Sequence, residues 1–108
     1  MERLFVYGSL APGRPNEHIL AGVPGSWEAA SVTGTLREEG WGAAMGFPGL
    51  GLNEQGERIE GFVFSSNQLP SQWAALDAFE GDAYIRTPTV VRLGTGQTVE
   101  AYVYALRK

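Results

Sequence analysis

Leu76-Asp77-Ala78-Phe79-Glu80-Gly81-Asp82-Ala83-Tyr84-Ile85-Arg86 ends the one long helical pattern in the chain and puts a carboxylate where a core residue belongs. At about 100° per residue, Leu69, Trp73, Leu76 and Glu80 fall on a single stripe, at i, i+4, i+7 and i+11. Three are core residues by type. The fourth is an acid, whose burial is costly unless it takes up a proton or finds a partner. Two readings are open from the pattern alone. Either Glu80 is a functional carboxylate, or it is the last residue of a fraying helix, turning to solvent just before the terminating glycine Gly81. Asp77 lies on the flank of the stripe, where a solvated surface role is expected.

Upstream, Pro70 suits the first turn of this helix. The other patterns are mostly strands. Residues 3–8 read as a short apolar strand ended by Gly8, after which Pro12, Gly13 and Pro15 break the chain into a loop. A brief helix is expected at Asn16 to Leu20, and strands at Ser31 to Arg37 and at Ile59 to Phe64. Thr89 to Leu93 and Gln97 to Leu106 make a hairpin through Gly94-Thr95-Gly96. Gly40 to Gly56 is glycine-rich and reads as a long irregular segment whose Trp41, Met45, Phe47 and Leu50 pack over something. Several strands with one main helix make an α+β domain. So little helix cannot cover both faces of an open sheet, which favours a curled or barrel-like one.

With 108 residues, 44% of them hydrophobic, and no repeat or low-complexity tract, residues 1–108 are expected to form a single domain around one core. The absence of cysteine excludes disulfides, thiolate nucleophiles and cysteine-ligated metals, and the lone histidine, His18, argues against a histidine-based metal site. No metal or other cofactor is expected. A net charge of −4 with dispersed arginines offers no basic track for nucleic acid. Apolar runs are too short to span a bilayer, and the N-terminal residues lack the order of a signal peptide, so a cytoplasmic location with no membrane partner is expected.

Val6-Tyr7-Gly8-Ser9-Leu10 is a strand running into a glycine turn, a geometry that can present consecutive backbone N–H groups to an anion. The pattern is also a common structural turn. Gly8 and Gly13 have the spacing that opens a P-loop, but Arg14 and Pro15 stand where lysine and serine or threonine are required. Ser9 lacks the flanking glycines of a nucleophile elbow. His18 reads as a helix-surface or packing residue. Trp27, Trp41, Tyr102 and Tyr104 read as core or rim, although Tyr102 and Tyr104 share a strand face from which one of them can line a cavity.

Taken together, the Tyr-Gly-Ser-Leu turn, Asn16 with Leu20, Phe47-Pro48-Gly49-Leu50, Leu76-Asp77 to Glu80-Gly81, Tyr84 with Arg86 and the closing Tyr102-Val103-Tyr104 resemble the gamma-glutamylcyclotransferase-like family. The resemblance runs through almost the whole chain. It implies a small mixed β-barrel with flanking helices, and a cofactor-independent intramolecular aminoacyl transfer that converts a small gamma-glutamyl amine or amide into 5-oxoproline and a free amine. It further implies Glu80 as general acid/base, with Tyr7, Gly8, Ser9 and Leu10 cradling the substrate and Tyr84 and Tyr104 completing the pocket. The other reading is a non-catalytic barrel that binds a small carboxylate metabolite or a protein partner, since one fold hosts many functions. The residues specify neither the leaving amine nor an oligomeric state.

Overall fold

Alternating apolar residues on short strands must bury one face, and here they do so by curling the sheet until it closes. A computed structural model describes residues 2–8, 10–11, 13–14, 17–37 and 49–106. In chain order these form β1 (Glu2–Val6), α1 (His18–Ala21), β2 (Ser26–Arg37), β3 (Gly49–Leu52), β4 (Glu57–Ser66), a 3-10 turn (Leu69–Ser71), α2 (Trp73–Glu80), β5 (Tyr84–Leu93) and β6 (Thr98–Leu106). Hydrogen-bonded neighbours run β1–β4–β2–β3–β6, and β6 returns to β1, closing a ring of five strands. The sixth, β5, lies along β6 and also touches β2. β6 is parallel to β1 and β3 whereas the other pairs are antiparallel, so the barrel is mixed.

Strand alternation divides the buried residues in two. Phe5, Leu50, Val63, Val91 and Val103 fill the barrel. Their neighbours Leu4, Phe64 and Tyr104 point outward, to a second cluster with Leu20 of α1 and Trp73 and Leu76 of α2. The predicted stripe is the docking face of α2: Leu69 and Leu76 are fully buried and Trp73 keeps 9% of its surface. Gly61 allows two strands to approach closely, since a Cβ there would lie 2.3 Å from the Val6 carbonyl oxygen on β1.

Several boundaries differ from those predicted. Pro70 opens the 3-10 turn rather than α2, because the Ser71 and Gln72 N–H groups reach back three residues, to Gln68 and Leu69. The first helix is His18–Ala21, one residue further along than expected at its C-terminal end, and Asn16 lies outside the described residues. β2 starts five residues early, at Ser26, where Trp27 packs against Phe64 with ring centroids 4.7 Å apart. β5 starts at Tyr84 and carries Pro88 within it, opposite Tyr102. The glycine-rich segment Gly40 to Gly56, expected to be irregular, contains β3, whose Leu50 is completely buried. Trp41, Met45 and Phe47 lie outside the described residues. The hairpin through Gly94-Thr95-Gly96 forms as expected, with Leu93 and Gln97 at its mouth.

Gly81 ends α2 at φ 80°, donating its N–H to the Asp77 carbonyl at 3.0 Å. A Cβ there would meet nothing within 4 Å, so any cost of a side chain is backbone strain alone. At φ 80°, ψ −171° the backbone is in a region that is essentially glycine-only, so Gly81→Ala is expected to destabilise the fold by about 1–3 kcal/mol. Thermal unfolding measures this, and an unchanged midpoint would show that the helix end relaxes into another conformation.

Candidate active site

The last turn of α2 brings two carboxylates beside tyrosines from three strand ends. Glu80 is half-buried, and desolvation pushes its carboxyl up to about 7. Its place at the C-terminal end of a helix acts in the same direction, because the partial negative charge there disfavours a carboxylate. Glu80 thus does not turn out to solvent. It acts electrostatically on the Tyr7 and Tyr104 hydroxyls, raising the pKa of both.

Tyr7 follows the last residue of β1, and its hydroxyl joins two other strands. The O–H donates to the Tyr104 carbonyl on β6 at 2.8 Å, and the oxygen accepts the Leu50 N–H of β3 at 2.9 Å. Burial is the main reason its pKa is raised; the Leu50 hydrogen bond opposes this, and Tyr84 and Glu80 add to it. Tyr104, 4% exposed, donates its own O–H to Asp77 Oδ1 at 2.6 Å. Burial also raises the Tyr104 pKa, with the Asp77 hydrogen bond and charge next. Tyr84, the first residue of β5, is buried in the same outer cluster as Tyr104.

Of the predicted turn, Gly8 accepts the Ala11 N–H at 3.1 Å and Leu10 is buried in the outer cluster, so its side chain is a packing residue. Ser9 lies outside the described residues. The structure thus brings together Glu80, Tyr7, Tyr84 and Tyr104.

Asp77 is not the solvated bystander expected from its place on the flank. Besides Tyr104 it holds Arg86, with Nε 3.0 Å from Oδ1 and Nη2 3.4 Å from Oδ2. The Tyr104 hydrogen bond, followed by the Arg86 hydrogen bond and charge, keeps its carboxyl below the usual range. Arg86 lies over the Trp73 ring, 4.4 Å from its centroid, and 5.1 Å from that of Tyr102. These two rings meet edge to face at 5.3 Å. A sequence signal for the network did exist: Tyr84 and Arg86, two apart on a strand, must share a face. What the sequence did not carry was the register that sets Arg86 opposite Tyr104.

Among the described residues, no helix is long and apolar enough to cross a membrane, and no group of three or more His, Cys, Asp or Glu is placed to hold a metal ion.

The family model for gamma-glutamyl cyclotransferase, AIG2-like, matches residues 4–108. The chain belongs to this family. No curated protein matches it by sequence. Among solved structures, YkqA from Bacillus subtilis is 29% identical with a TM-score of 0.74, over 98% of this chain and 36% of that one, so the chain spans little more than a third of that protein. An AIG2-like protein from Mus musculus aligns with a TM-score of 0.73 at 24% identity, covering 97% of this chain and 76% of that one. A gamma-glutamyl cyclotransferase aligns at 0.67 and 18% identity, covering 99% and 67%. The small mixed barrel expected from the sequence is the fold of these gamma-glutamyl cyclotransferase-like proteins. Family membership supports a cyclotransferase-like role.

Proposed function

We propose that this protein is a gamma-glutamyl cyclotransferase that converts a small gamma-glutamyl amine or amide to 5-oxoproline and a free amine, with Glu80 as general acid/base. The observation that carries the reading is a desolvated carboxylate at the end of α2, beside the hydroxyls of Tyr7 and Tyr104.

In this reaction the substrate α-amine attacks its own γ-carbonyl carbon. The new C–N bond closes a five-membered ring, and the bond to the leaving nitrogen breaks. Nucleophile and electrophile share one molecule, so much of a proximity advantage worth ~7–11 kcal/mol needs only conformational restraint. A small site suffices. What remains is proton transfer, and one carboxylate can take the proton from the attacking amine and return it to the departing nitrogen. An ordinary glutamate is a poor base for an ammonium group with a pKa of about 8. Glu80, raised to about 7, is well matched. As charge develops on the carbonyl oxygen, each donor aimed at it is worth ~2.7–4 kcal/mol. The backbone of the Gly8 to Leu10 turn is the candidate for that role or for holding the substrate carboxylate.

Incubation with a panel of gamma-glutamyl amino acids and amines, with 5-oxoproline read by mass spectrometry, tests the activity. Ligand binding without 5-oxoproline release would instead favour the non-catalytic barrel. Because the base form of Glu80 is its carboxylate, kcat/KM is expected to rise with pH through a midpoint near 7. An acid limb near 4.5, the value of an undisturbed glutamate, would mean that the working acid is another, exposed group.

A further inference from the structure

We propose that Asp77, held by Arg86, is a positioning residue that fixes the Tyr104 hydroxyl as a hydrogen-bond acceptor toward the reacting amine; this rests on the cyclotransferase reading above. A tyrosine hydroxyl has one proton to give. Tyr104 gives its proton to Asp77 Oδ1 across 2.6 Å. Asp77, once ionised, can only accept, so the direction of that bond is set. The Arg86 guanidinium keeps it ionised, its Nε sharing Oδ1 with Tyr104 and its Nη2 reaching Oδ2. Arg86 is itself held over the rings of Trp73 and Tyr102. Toward Glu80, three residues along the same helix, the Tyr104 oxygen therefore presents only lone pairs. Tyr7 behaves in the same way, its proton going to the Tyr104 carbonyl.

The chemical consequence concerns the nucleophile. An amine attacks through its lone pair, and a hydroxyl that donated to this lone pair would tie it up. A hydroxyl that can only accept takes an N–H instead. Glu80 removes one amine proton, Tyr104 holds another, and the lone pair stays free to face the γ-carbonyl carbon.

Asp77→Leu tests this with little change of side-chain size. Oδ1 takes both the Tyr104 O–H and the Arg86 Nε–H, so an asparagine would keep its oxygen there and leave the hydroxyl as it is, whereas leucine offers Tyr104 no acceptor and frees its proton to swing toward the site. Turnover is measured in a double-mutant cycle of Asp77→Leu with Tyr104→Phe, using the best gamma-glutamyl amine of the panel. The expected result is a fall in kcat of about tenfold or more for Asp77→Leu in the Tyr104 protein and of less than about threefold in the Tyr104→Phe background, given the strength of hydrogen bonds to charged groups. Equal losses in both backgrounds would overturn the proposal, since Asp77 would then act by some route other than Tyr104. If Asp77→Leu does not fold, Asp77→Ala takes its place in the cycle with the same criterion.

If the wild type releases no 5-oxoproline, the cyclotransferase reading fails, and the relay is read by binding instead. Calorimetry then compares gamma-glutamylmethylamide with its counterpart lacking the α-amine. Tighter binding of the aminated ligand, with the preference narrowed by Asp77→Leu only when Tyr104 is present, would support the relay. No preference, or no binding, would overturn it.

Discussion

Glu80→Gln is expected to lower 5-oxoproline release by about 10²–10⁴-fold, towards the high end of that range, because one carboxylate serves both proton transfers. Glutamine keeps the shape of the side chain and cannot accept the proton, so substrate affinity should stay near wild type. The same variant reports on stability. The Glu80 carboxyl is raised from 4.5 to about 7 by desolvation. Between those two values the unfolded chain releases the proton while the folded one keeps it. The contribution of Glu80 to stability is therefore fully present below about 4.5, falls as pH rises through 7, and stays low above it. The full shift corresponds to roughly 3 kcal/mol, of which a half-buried side chain realises only part. Glu80→Gln should accordingly raise the thermal midpoint at pH 8 and change it little at pH 4.5. Paired turnover and melting measurements at both pH values check the two claims together. Near-normal turnover in a folded variant would end the case for Glu80 as the catalyst.

This carboxylate was legible in the sequence because helical periodicity is local. Leu69, Trp73 and Leu76 define a buried face within a few turns, and Glu80 continues it whatever the rest of the chain does. Asp77 was not legible for the complementary reason. Its flank position is compatible with solvent, and 46% of its side chain is indeed exposed, but its partners come from β5 and β6. They meet it only through the register that sets Arg86 opposite Tyr104. β3 was missed on similar grounds. Gly49-Leu50-Gly51-Leu52 has too much glycine for strand propensity to show, and it is held instead by pairing with Gly34–Arg37 and Ala105. Trp27 and Glu28 precede two alanines, which hides the alternation that carries β2 back to Ser26. The barrel itself was legible because too many strands and too little helix leave few other ways to bury both faces.

Tyr7→Phe is expected to cost the fold about 2–5 kcal/mol, an effect that an aromatic-to-aromatic change in a site residue would not ordinarily have. The ring stays and continues to stack on Phe5, whose centroid is 6.3 Å away. What is lost is a single oxygen that serves two backbone groups, the Tyr104 carbonyl at 2.8 Å and the Leu50 N–H at 2.9 Å. Each is left without that partner at a partly buried seam, and an unsatisfied buried group costs ~1–3 kcal/mol. The seam is where the barrel closes: among the described residues, β3 meets β6 in the register pair Leu50 with Ala105, and β6 meets β1 through two. Few ladder bonds there share the load, so the hydroxyl is structural as well as part of the site. Turnover should also fall, since Tyr104 is anchored by its carbonyl to Tyr7 and by its hydroxyl to Asp77. Denaturant unfolding, with turnover assayed well below the melting midpoint, separates the two effects. An unchanged stability would show that water or a shifted backbone satisfies both groups, and would leave Tyr7 with a role in the site alone.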